Sequence, residues 1–425
     1  MNPKNDLNII KIEKANDFAG IIIDRKAVNV FVPAFFHEEE DQRVNRRNLL
    51  QFIRSIEIAK TIEKVDVNKQ KSDGSIWPIE SFLWIIRDYL ENGLYYNKER
   101  RFYNDGKGKI DWKKTIKDTP IVSNNNVIYD KLVTSRISAS EEEITTIYKL
   151  CLKRACDCIS WIIPSYNLKI TAFQTKTNSE MVRIVKKELN NTFDDIKRKR
   201  FNHMITILSN SDSNTLLSNT YTYGIYNYYY VFEKMVDELL QGIKGKEKEK
   251  YNPNGYWNLN NKASFLSSNL RPDTIYKKGN KTFIIDAKMY QYGVTANIDD
   301  LPKTSSMQKQ ITYGDYVKNT VDIGSDVRNA FILPYDKQSE KFINNTDIDR
   351  FYNSNLVYIG SATVDWRDGQ KRLDYEQIYT FMIDFNFLLN NYSIKNSIYI
   401  DTLCNEIEKR IAAKGEQIHV KKEDL

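Results

Sequence analysis

Hydrophobic and polar residues in the first half of the chain recur with the periods of both strands and helices. Short runs rich in Ile, Val and Phe at 21–23 and 28–36 predict strands. Apolar residues that recur every three or four positions predict amphipathic helices. These helices are expected at residues 45–60, 78–93, 140–163 and 179–210. The first few residues are polar and are expected to be loose.

The second half of the chain continues the same two periods. Helices are expected at residues 223–240, 306–317, 380–389 and 396–413, and strands at 330–333 and 356–362. A stretch rich in Ser and Asn at 209–220 is typical of a linker, so we place a domain boundary after residue 214. The expected fold class is α/β. A mixed α/β N-terminal region, 1–214, precedes a domain at 215–425 with a central mixed sheet flanked by helices.

Composition narrows the possible functions. A chain of 425 residues is long enough for two or three domains, and its net charge of +7 is compatible with nucleic acid without indicating it. The four cysteines and three histidines match no zinc-site spacing. Few cysteines and no signal peptide predict a cytoplasmic protein. The apolar helical stretches contain charges and are too short to cross a membrane.

One stretch of the second half has the pattern of a β-hairpin with charged residues at its open end. Two apolar runs, 274–276 and 282–287, flank a polar segment that contains Gly279. Glycine adopts the backbone conformations of tight turns, so this pattern predicts two antiparallel strands. We expect the turn to be centred on Lys278 and Gly279.

Acidic and basic side chains lie at the ends of these two strands. With that turn, Asp273 falls opposite Ile284, and directly opposed residues point to the same side of a sheet. Side chains alternate along a strand, so Ile284, Asp286 and Lys288 share one face. Asp273, Asp286 and Lys288 are therefore expected to converge.

Two carboxylates beside an ammonium suit metal-dependent hydrolysis. Carboxylate oxygens hold a hard cation such as Mg²⁺, which polarises a phosphodiester and activates water. The lysine can orient the water or offset charge on the phosphorus. The alternative is an edge hairpin whose Asp and Lys side chains are simply solvated. The longer pattern, in which Pro-Asp opens one strand and Asp-Ala-Lys closes an apolar one, favours a nuclease site.

The sequence Arg271-Pro272-Asp273, followed by Asp286-Ala287-Lys288, resembles the PD-(D/E)XK nuclease signature. It is particularly similar to the nuclease subunits of McrC and LlaJI-type restriction systems. The resemblance implies a restriction-endonuclease-like domain at 215–425. It also implies a Mg²⁺-dependent endonuclease that cuts double-stranded DNA and works with a McrB-like AAA+ GTPase or other NTPase. Asp273 and Asp286 would be metal ligands, and Lys288 would assist catalysis.

The same resemblance suggests further site residues on helices. In PD-(D/E)XK folds the helix before the catalytic hairpin often adds an acidic residue, and Glu233 is the candidate for catalysis and metal binding here. Asp237 and Glu238 are its rivals. Related nucleases carry a glutamine–tyrosine pair on the helix after the D-x-K strand, usually with three residues between. Only two residues separate Gln310 from Tyr313.

A second resemblance lies in the first half, at residues 106–115. This run contains two glycines, then Ile-Asp-Trp, two lysines and a threonine. It lacks the G-x-x-x-x-G-K-[ST] spacing of a phosphate loop, so nucleotide binding is not predicted here. It resembles a run found ahead of the nuclease in LlaJI and McrC-like subunits. Trp112 could contact a partner, or it could pack in a small local core.

Two other functions remain open at this point. The chain could be a self-sufficient, site-specific type II restriction endonuclease, although it has no zinc finger or clear helix-turn-helix. It could also be a non-catalytic accessory subunit, but the presence of Asp273, Asp286 and Lys288 together favours catalysis. We therefore predict a restriction endonuclease subunit in antiviral defence, with 1–214 docking on an AAA+ partner.

Overall fold

The structure, a computed structural model, describes most of the chain. The described residues are 6–14, 16–23, 27–59, 78–104, 107, 109–117, 120–123, 126–129, 131–140, 143–159, 170–209, 221–260, 264–344, 348–366 and 374–423. The strands are β1 (Asp6–Ile12), β2 (Ala19–Ile23), β3 (Ala27–Pro33), β4 (Asn97–Tyr103), β5 (Lys109–Ile110), β6 (Ile121–Ser123), β7 (Asn126–Ile128), β8 (Thr134–Ser140), β9 (Tyr221–Ile225), β10 (Asn254–Trp257), β11 (Phe265–Asn269), β12 (Thr274–Lys278), β13 (Lys281–Ala287), β14 (Asp326–Tyr335), β15 (Asp349–Phe351), β16 (Leu356–Ala362) and β17 (Ile378–Asp384). The helices are α1 (Gln42–Ile58), α2 (Ile79–Asn92), α3 (Trp112–Thr115), α4 (Glu143–Ile159), α5 (Asn178–Asn190), α6 (Asp195–Ser209), α7 (Tyr229–Leu239), α8 (Gly245–Glu249), α9 (Tyr292–Thr295), α10 (Thr304–Tyr316), α11 (Glu340–Ile343), α12 (Phe385–Asn391) and α13 (Ile398–Glu423).

The chain divides into two compact units. Unit 1 combines Met1–Ser72 with Thr222–Leu425, and unit 2 is Asp73–Tyr221. This division differs from the expected one, because the first 72 residues group with the C-terminal half. The expected boundary after residue 214 lies outside the described residues. Local periodicity identifies strands but not their distant partners, so it could not place the first strands in unit 1.

The N-terminal strands of unit 1 form a four-stranded sheet with the order β1-β3-β2-β9. β1 runs parallel to β3, and β2 runs antiparallel to it. Residues 1–5, which are expected to be loose, lie outside the described residues, and β1 begins at Asp6. The helix expected at 223–240 begins later than predicted, at Tyr229, because the residues up to Ile225 form β9.

Unit 1 also contains a six-stranded mixed sheet with the order β12-β13-β14-β17-β16-β15. β13, β14 and β17 are parallel neighbours, and the other pairs are antiparallel. The helix expected at 380–389 is wrong in its first half, because β17 occupies that position. Every residue of β17 is buried. A strand buried on both faces has a continuous apolar run that periodicity cannot distinguish from a buried helix.

Helices cover this sheet and complete the core of unit 1. α10 packs against β13, β14 and β17, while α7 contacts β13 and α12 contacts β17. α12 begins directly after β17, and the Asp384 carboxylate caps it by accepting a hydrogen bond from Phe387 N at 2.9 Å. The predicted fold class, a mixed sheet flanked by helices, is therefore confirmed.

Unit 2 contains packed helices and short sheets. α2, α4 and α6 contact one another, and β4, β8 and β5 form a three-stranded sheet. The single helix expected at 179–210 is two helices, α5 and α6. Between α2, α4 and α6, the buried Arg200 guanidinium donates to both carboxylate oxygens of Asp88 at 2.6 and 2.8 Å. Within the described ranges, no helix has the length and apolarity needed to cross a bilayer.

Candidate active site

The hairpin predicted from the sequence is present, with a shifted turn. β12 and β13 pair antiparallel, and Lys278 lies opposite Lys281, so the two-residue turn is Gly279 and Asn280. Gly279 has a φ of +61°, which favours glycine. Thr274 lies opposite Ile285, and continuing this register by one residue brings Asp273 level with Asp286. The expected pairing of Asp273 with Ile284 is therefore wrong, because glycine occupies the first rather than the second position of the turn.

The structure brings Asp273, Asp286 and Lys288 together at the ends of β12 and β13. Asp286 is fully buried, and its Oδ2 lies 2.5 Å from the Lys288 Nζ. Asp273 Oδ2 accepts a hydrogen bond from Ala287 N at 2.9 Å, which ties the first carboxylate to the strand that bears the second. The shared face expected from strand alternation is thus observed in the folded chain.

The charges of these groups are strongly coupled. Burial raises the pKa of Asp273 well above its usual range, and the charges of Asp286 and Glu233 add to the rise. Burial alone would lower the pKa of Lys288, but the carboxylates of Asp286 and Asp273 outweigh it and raise that pKa. The site therefore keeps Lys288 protonated and makes it costly for Asp273 to ionise beside Asp286.

Of the three acidic candidates on α7, Glu233 is the one whose charge influences Asp273, although it is not grouped closely with the two aspartates. Its charge acts on both Asp273 and Lys288. Asp237 is engaged elsewhere, since its Oδ2 lies 2.5 Å from Lys244 Nζ. Glu238 pairs with Lys244 as well, at 3.2 Å. The rivals of Glu233 therefore belong to a separate cluster of ion pairs.

That cluster contains a residue that the sequence did not single out. Lys248 Nζ donates a hydrogen bond to the backbone carbonyl of Asp273, and Thr274 Oγ1 donates to Asp237 Oδ1 at 3.1 Å. Burial lowers the pKa of Lys248. Asp237 and Lys248 therefore hold the backbone at the start of β12, where Asp273 leaves the sheet. In the sequence, Lys248 lies within an alternating Lys/Glu run that resembles an ordinary solvated loop.

The glutamine and tyrosine of α10 have different surroundings. Gln310 Nε2 donates to Ile284 O at 2.9 Å and to Asn329 Oδ1 at 3.2 Å, so its amide ties the helix to the sheet. Tyr313 is buried beside the carboxylates, and burial followed by the charges of Asp286 and Asp273 raises its pKa. The charges of the two carboxylates therefore act on Tyr313, whereas the described hydrogen bonds of Gln310 serve to attach α10 to the sheet.

The two aspartates offer carboxylate oxygens, which are the ligands that a hard divalent cation prefers. Neither oxygen of Asp286 accepts a hydrogen bond of ordinary geometry from the described residues, although the side chain is fully buried. Two adjacent buried carboxylates that share one ammonium are costly to ionise together unless a further cation balances them. Among the residues described, no three His, Cys, Asp or Glu side chains are grouped closely enough to hold a metal. Asp273 and Asp286 therefore offer a pair of ligands, and Glu233 stands apart from them.

The second resemblance, at 106–115, lies in unit 2 and is only partly described. Gly106 and Gly108 are outside the described residues. Trp112 starts α3, and its side chain is 56% exposed. The alternative of a tryptophan packed in a small core is therefore wrong. Ile116, just after α3, is exposed as well.

Comparison with known proteins places these features in a family. The chain matches the LlaJI restriction endonuclease family over residues 18–365. It is 22% identical over 326 residues to the type II restriction enzyme BsuMI component YdjA of Bacillus subtilis (strain 168), covering 72% of this chain and 69% of that protein.

Two solved structures show lower similarity. One is a half-complex of Thermococcus gammatolerans McrB AAA+ hexamers with bound McrC, at 13% identity and a TM-score of 0.38, covering 90% of this chain and 83% of that chain. The other is the McrBC complex of the same organism, at 12% identity and a TM-score of 0.23, covering 54% and 68%. The family match spans well over half of the sequence, and it agrees with the PD-(D/E)XK resemblance of the hairpin. The chain belongs to the LlaJI restriction endonuclease family and is a nuclease subunit of a restriction system.

Proposed function

We propose that this chain hydrolyses phosphodiester bonds of double-stranded DNA at the Asp273–Asp286–Lys288 site, with Mg²⁺ as cofactor. The observation that carries the proposal is the environment of Asp286. This carboxylate is fully buried, adjoins a second buried carboxylate, and contacts the single ammonium of Lys288 at 2.5 Å. A structural ion pair would neutralise its charges and complete its hydrogen bonds, whereas a cation site leaves carboxylate oxygens available.

Each residue has a distinct part in this chemistry. Asp273 and Asp286 would hold Mg²⁺, and Glu233 would act on the same ion as a third acidic group. A bound Mg²⁺ ion would supply the Lewis acidity that polarises the scissile phosphate. Lys288 remains protonated beside Asp286 and is placed to offset the negative charge that develops on phosphorus. The raised pKa of Asp273 means that cation binding displaces a proton from the carboxylates.

We further propose that unit 2 docks on an AAA+ NTPase, which controls cleavage. Trp112 and Ile116 are large apolar side chains that remain exposed on one short segment, as expected for a surface that a protein partner covers. The Bacillus relative is itself named as one component of a restriction enzyme. The sequence predicts a docking region at 1–214. We propose unit 2, Asp73–Tyr221, as the docking part, because Trp112 lies in that compact unit.

The site is tested with Asp286→Ala and Lys288→Ala. Both should abolish DNA cleavage, because each removes a charge that the reaction needs. The matched control is the exposed ion pair between Lys278 and Asp401, at 2.8 Å, which joins the same residue types away from the site. Lys278→Ala and Asp401→Ala should leave cleavage unchanged.

A second measurement tests Mg²⁺ binding separately from DNA cleavage. Mg²⁺ should raise the melting temperature of the wild-type chain and leave that of Asp286→Ala unchanged, because a ligand stabilises only the fold that binds it. Normal cutting by either site variant, free of wild-type enzyme, would reject the site assignment. Cutting that is lost in both variants without any Mg²⁺-dependent shift would reject the choice of Mg²⁺ alone.

A further inference from the structure

A two-stranded ribbon next to the candidate site leaves its aromatic side chains uncovered. β10 and β11 pair antiparallel and form a sheet of their own. Tyr256 is 60% exposed and Trp257 is 64% exposed, and Leu266, opposite Tyr256, is exposed too. Neighbouring residues of a strand point to opposite faces, so Tyr256 and Trp257 place an aromatic ring on each face of the ribbon.

We propose that this ribbon, formed by β10 and β11, contacts the DNA duplex beside the scissile phosphate. The inference rests on the proposed function, because it assigns the surface that positions the substrate of the same site. An isolated two-stranded ribbon is marginally stable in water, and burying its apolar residues against a ligand offsets that weakness. Paired strands fit DNA grooves, where apolar side chains contact sugars and thymine methyl groups.

The charge of the segment favours DNA over a protein as this ligand. The chain has 56 acidic residues, yet none lies between Glu249 and Asp273, an interval that includes Lys250, Lys262 and Arg271. Several Asn and Ser side chains occupy the remaining positions of the interval. Amides and hydroxyls donate to phosphates and to base edges, and the absence of carboxylates removes repulsion from the backbone.

Connectivity places the ribbon beside the reaction. Leu270 N donates to Pro253 O at 2.9 Å and closes the base of the ribbon, three residues before Asp273. Arg271 is exposed between them. From Asn269 to Phe265, which pairs with Trp257, the strand extends roughly 13 Å, or about four base pairs. A duplex with its phosphate at Asp273 therefore lies within reach of the aromatic rings.

The test measures DNA binding separately from cleavage. Fluorescence anisotropy would follow a labelled duplex with the full-length chain at low salt, in an Asp286→Ala background so that the duplex stays intact. Tyr256→Ala combined with Trp257→Ala should weaken binding at least about fivefold, because two large apolar contacts with the duplex are lost. Ile323→Ala is the matched control, since this side chain is 78% exposed at another place in unit 1. It should bind like the parent.

The salt dependence of DNA affinity distinguishes apolar contacts from contacts with phosphates. The aromatic variant should keep the slope of log K against log salt, because no phosphate contact is lost. Arg271→Ala should reduce that slope by about one. Unchanged affinity in the aromatic variant would overturn the proposal, as would a parent chain that binds no duplex. Unchanged DNA affinity together with lost assembly on an AAA+ partner would instead identify a protein-docking ribbon. Cleavage assays play no part in these outcomes, so a failure of the proposed catalysis is recognised independently.

Discussion

Single residues decide how the negative charge of the site is balanced. Asp286 is fully buried, and Lys288 is the one cation that the described residues place against its carboxylate, at 2.5 Å. Asp273 adds a second carboxylate with a raised pKa. Removing Lys288 would leave two adjacent carboxylates without that ammonium. For this reason the lysine should be needed for the charge state of the site as well as for the reaction.

At this scale Glu233 is distinguished from its neighbours on α7. Glu233→Gln should lower the cleavage rate about tenfold or more, roughly 1.4 kcal/mol in the barrier, and raise the Mg²⁺ concentration needed for activity. Glu238→Gln is the control on the same helix, because Glu238 pairs with Lys234 at 3.1 Å and with Lys244. The measurement is the cleavage rate across a Mg²⁺ titration. If Glu233→Gln leaves the cleavage rate unchanged while Glu238→Gln lowers it, the acidic site residue has been assigned to the wrong turn of α7.

At the scale of elements, α10 determines how the sheet face of the site is covered. Gly314 lies where the helix approaches the sheet, and a Cβ there would come within 2.7 Å of both Asn329 Nδ2 and Tyr375 Cβ. Asn329 in turn donates to the Gln310 and Tyr375 carbonyls. The closest packing of α10 therefore coincides with a buried hydrogen-bond network, which has little freedom to move.

We predict that Gly314→Ala destabilises unit 1 by about 1–3 kcal/mol, because overpacking the contact outweighs the better helix propensity of alanine. The matched control is Thr312→Ala on the exposed face of the same helix, which should change stability by less than about 0.5 kcal/mol. Denaturant unfolding measures both changes. A Gly314→Ala variant as stable as wild type would mean that the helix can shift away from the sheet without cost.

At the scale of the whole molecule, cleavage and partner control are assigned to different units. The candidate site lies in unit 1, and the exposed Trp112 lies in unit 2. The net charge of +7 is modest for a 425-residue chain, so phosphate contacts alone should give weak DNA binding at physiological salt. Unwanted cleavage is limited if the nuclease becomes active only when its partner is bound at the DNA recognition site.

We therefore predict that the purified chain cuts DNA inefficiently by itself. Addition of an AAA+ NTPase encoded beside it, with Mg²⁺ and GTP or ATP, should restore cutting. Trp112→Ala should remove that stimulation, whereas Phe193→Ala, another exposed aromatic of unit 2, should retain it. The assay compares cleavage with and without partner and nucleotide. Site-specific cutting by the lone chain, unaffected by either, would establish the self-sufficient type II endonuclease instead.

The sequence by itself determined the hairpin and the face that it presents. Strand alternation and the neighbourhood of Gly279 are local properties, so Asp273, Asp286 and Lys288 could be predicted to converge before any fold was known. The exact turn position could not, because a shift of one residue keeps the same polar segment in the loop. The PD-(D/E)XK resemblance followed from the same short stretch.

Only the tertiary structure decided which distant segments join that hairpin. The strands β1, β2 and β3 pair into a sheet of unit 1, and residues 378–384 form an inner strand, although their apolar runs alone fit other assignments. The ion pair of Asp237 with Lys244, which follows α7, was likewise not predictable from local periodicity. Strand pairing and ion pairing join residues that can be far apart in the sequence. Local periodicity depends only on neighbouring residues, so it does not identify these partners.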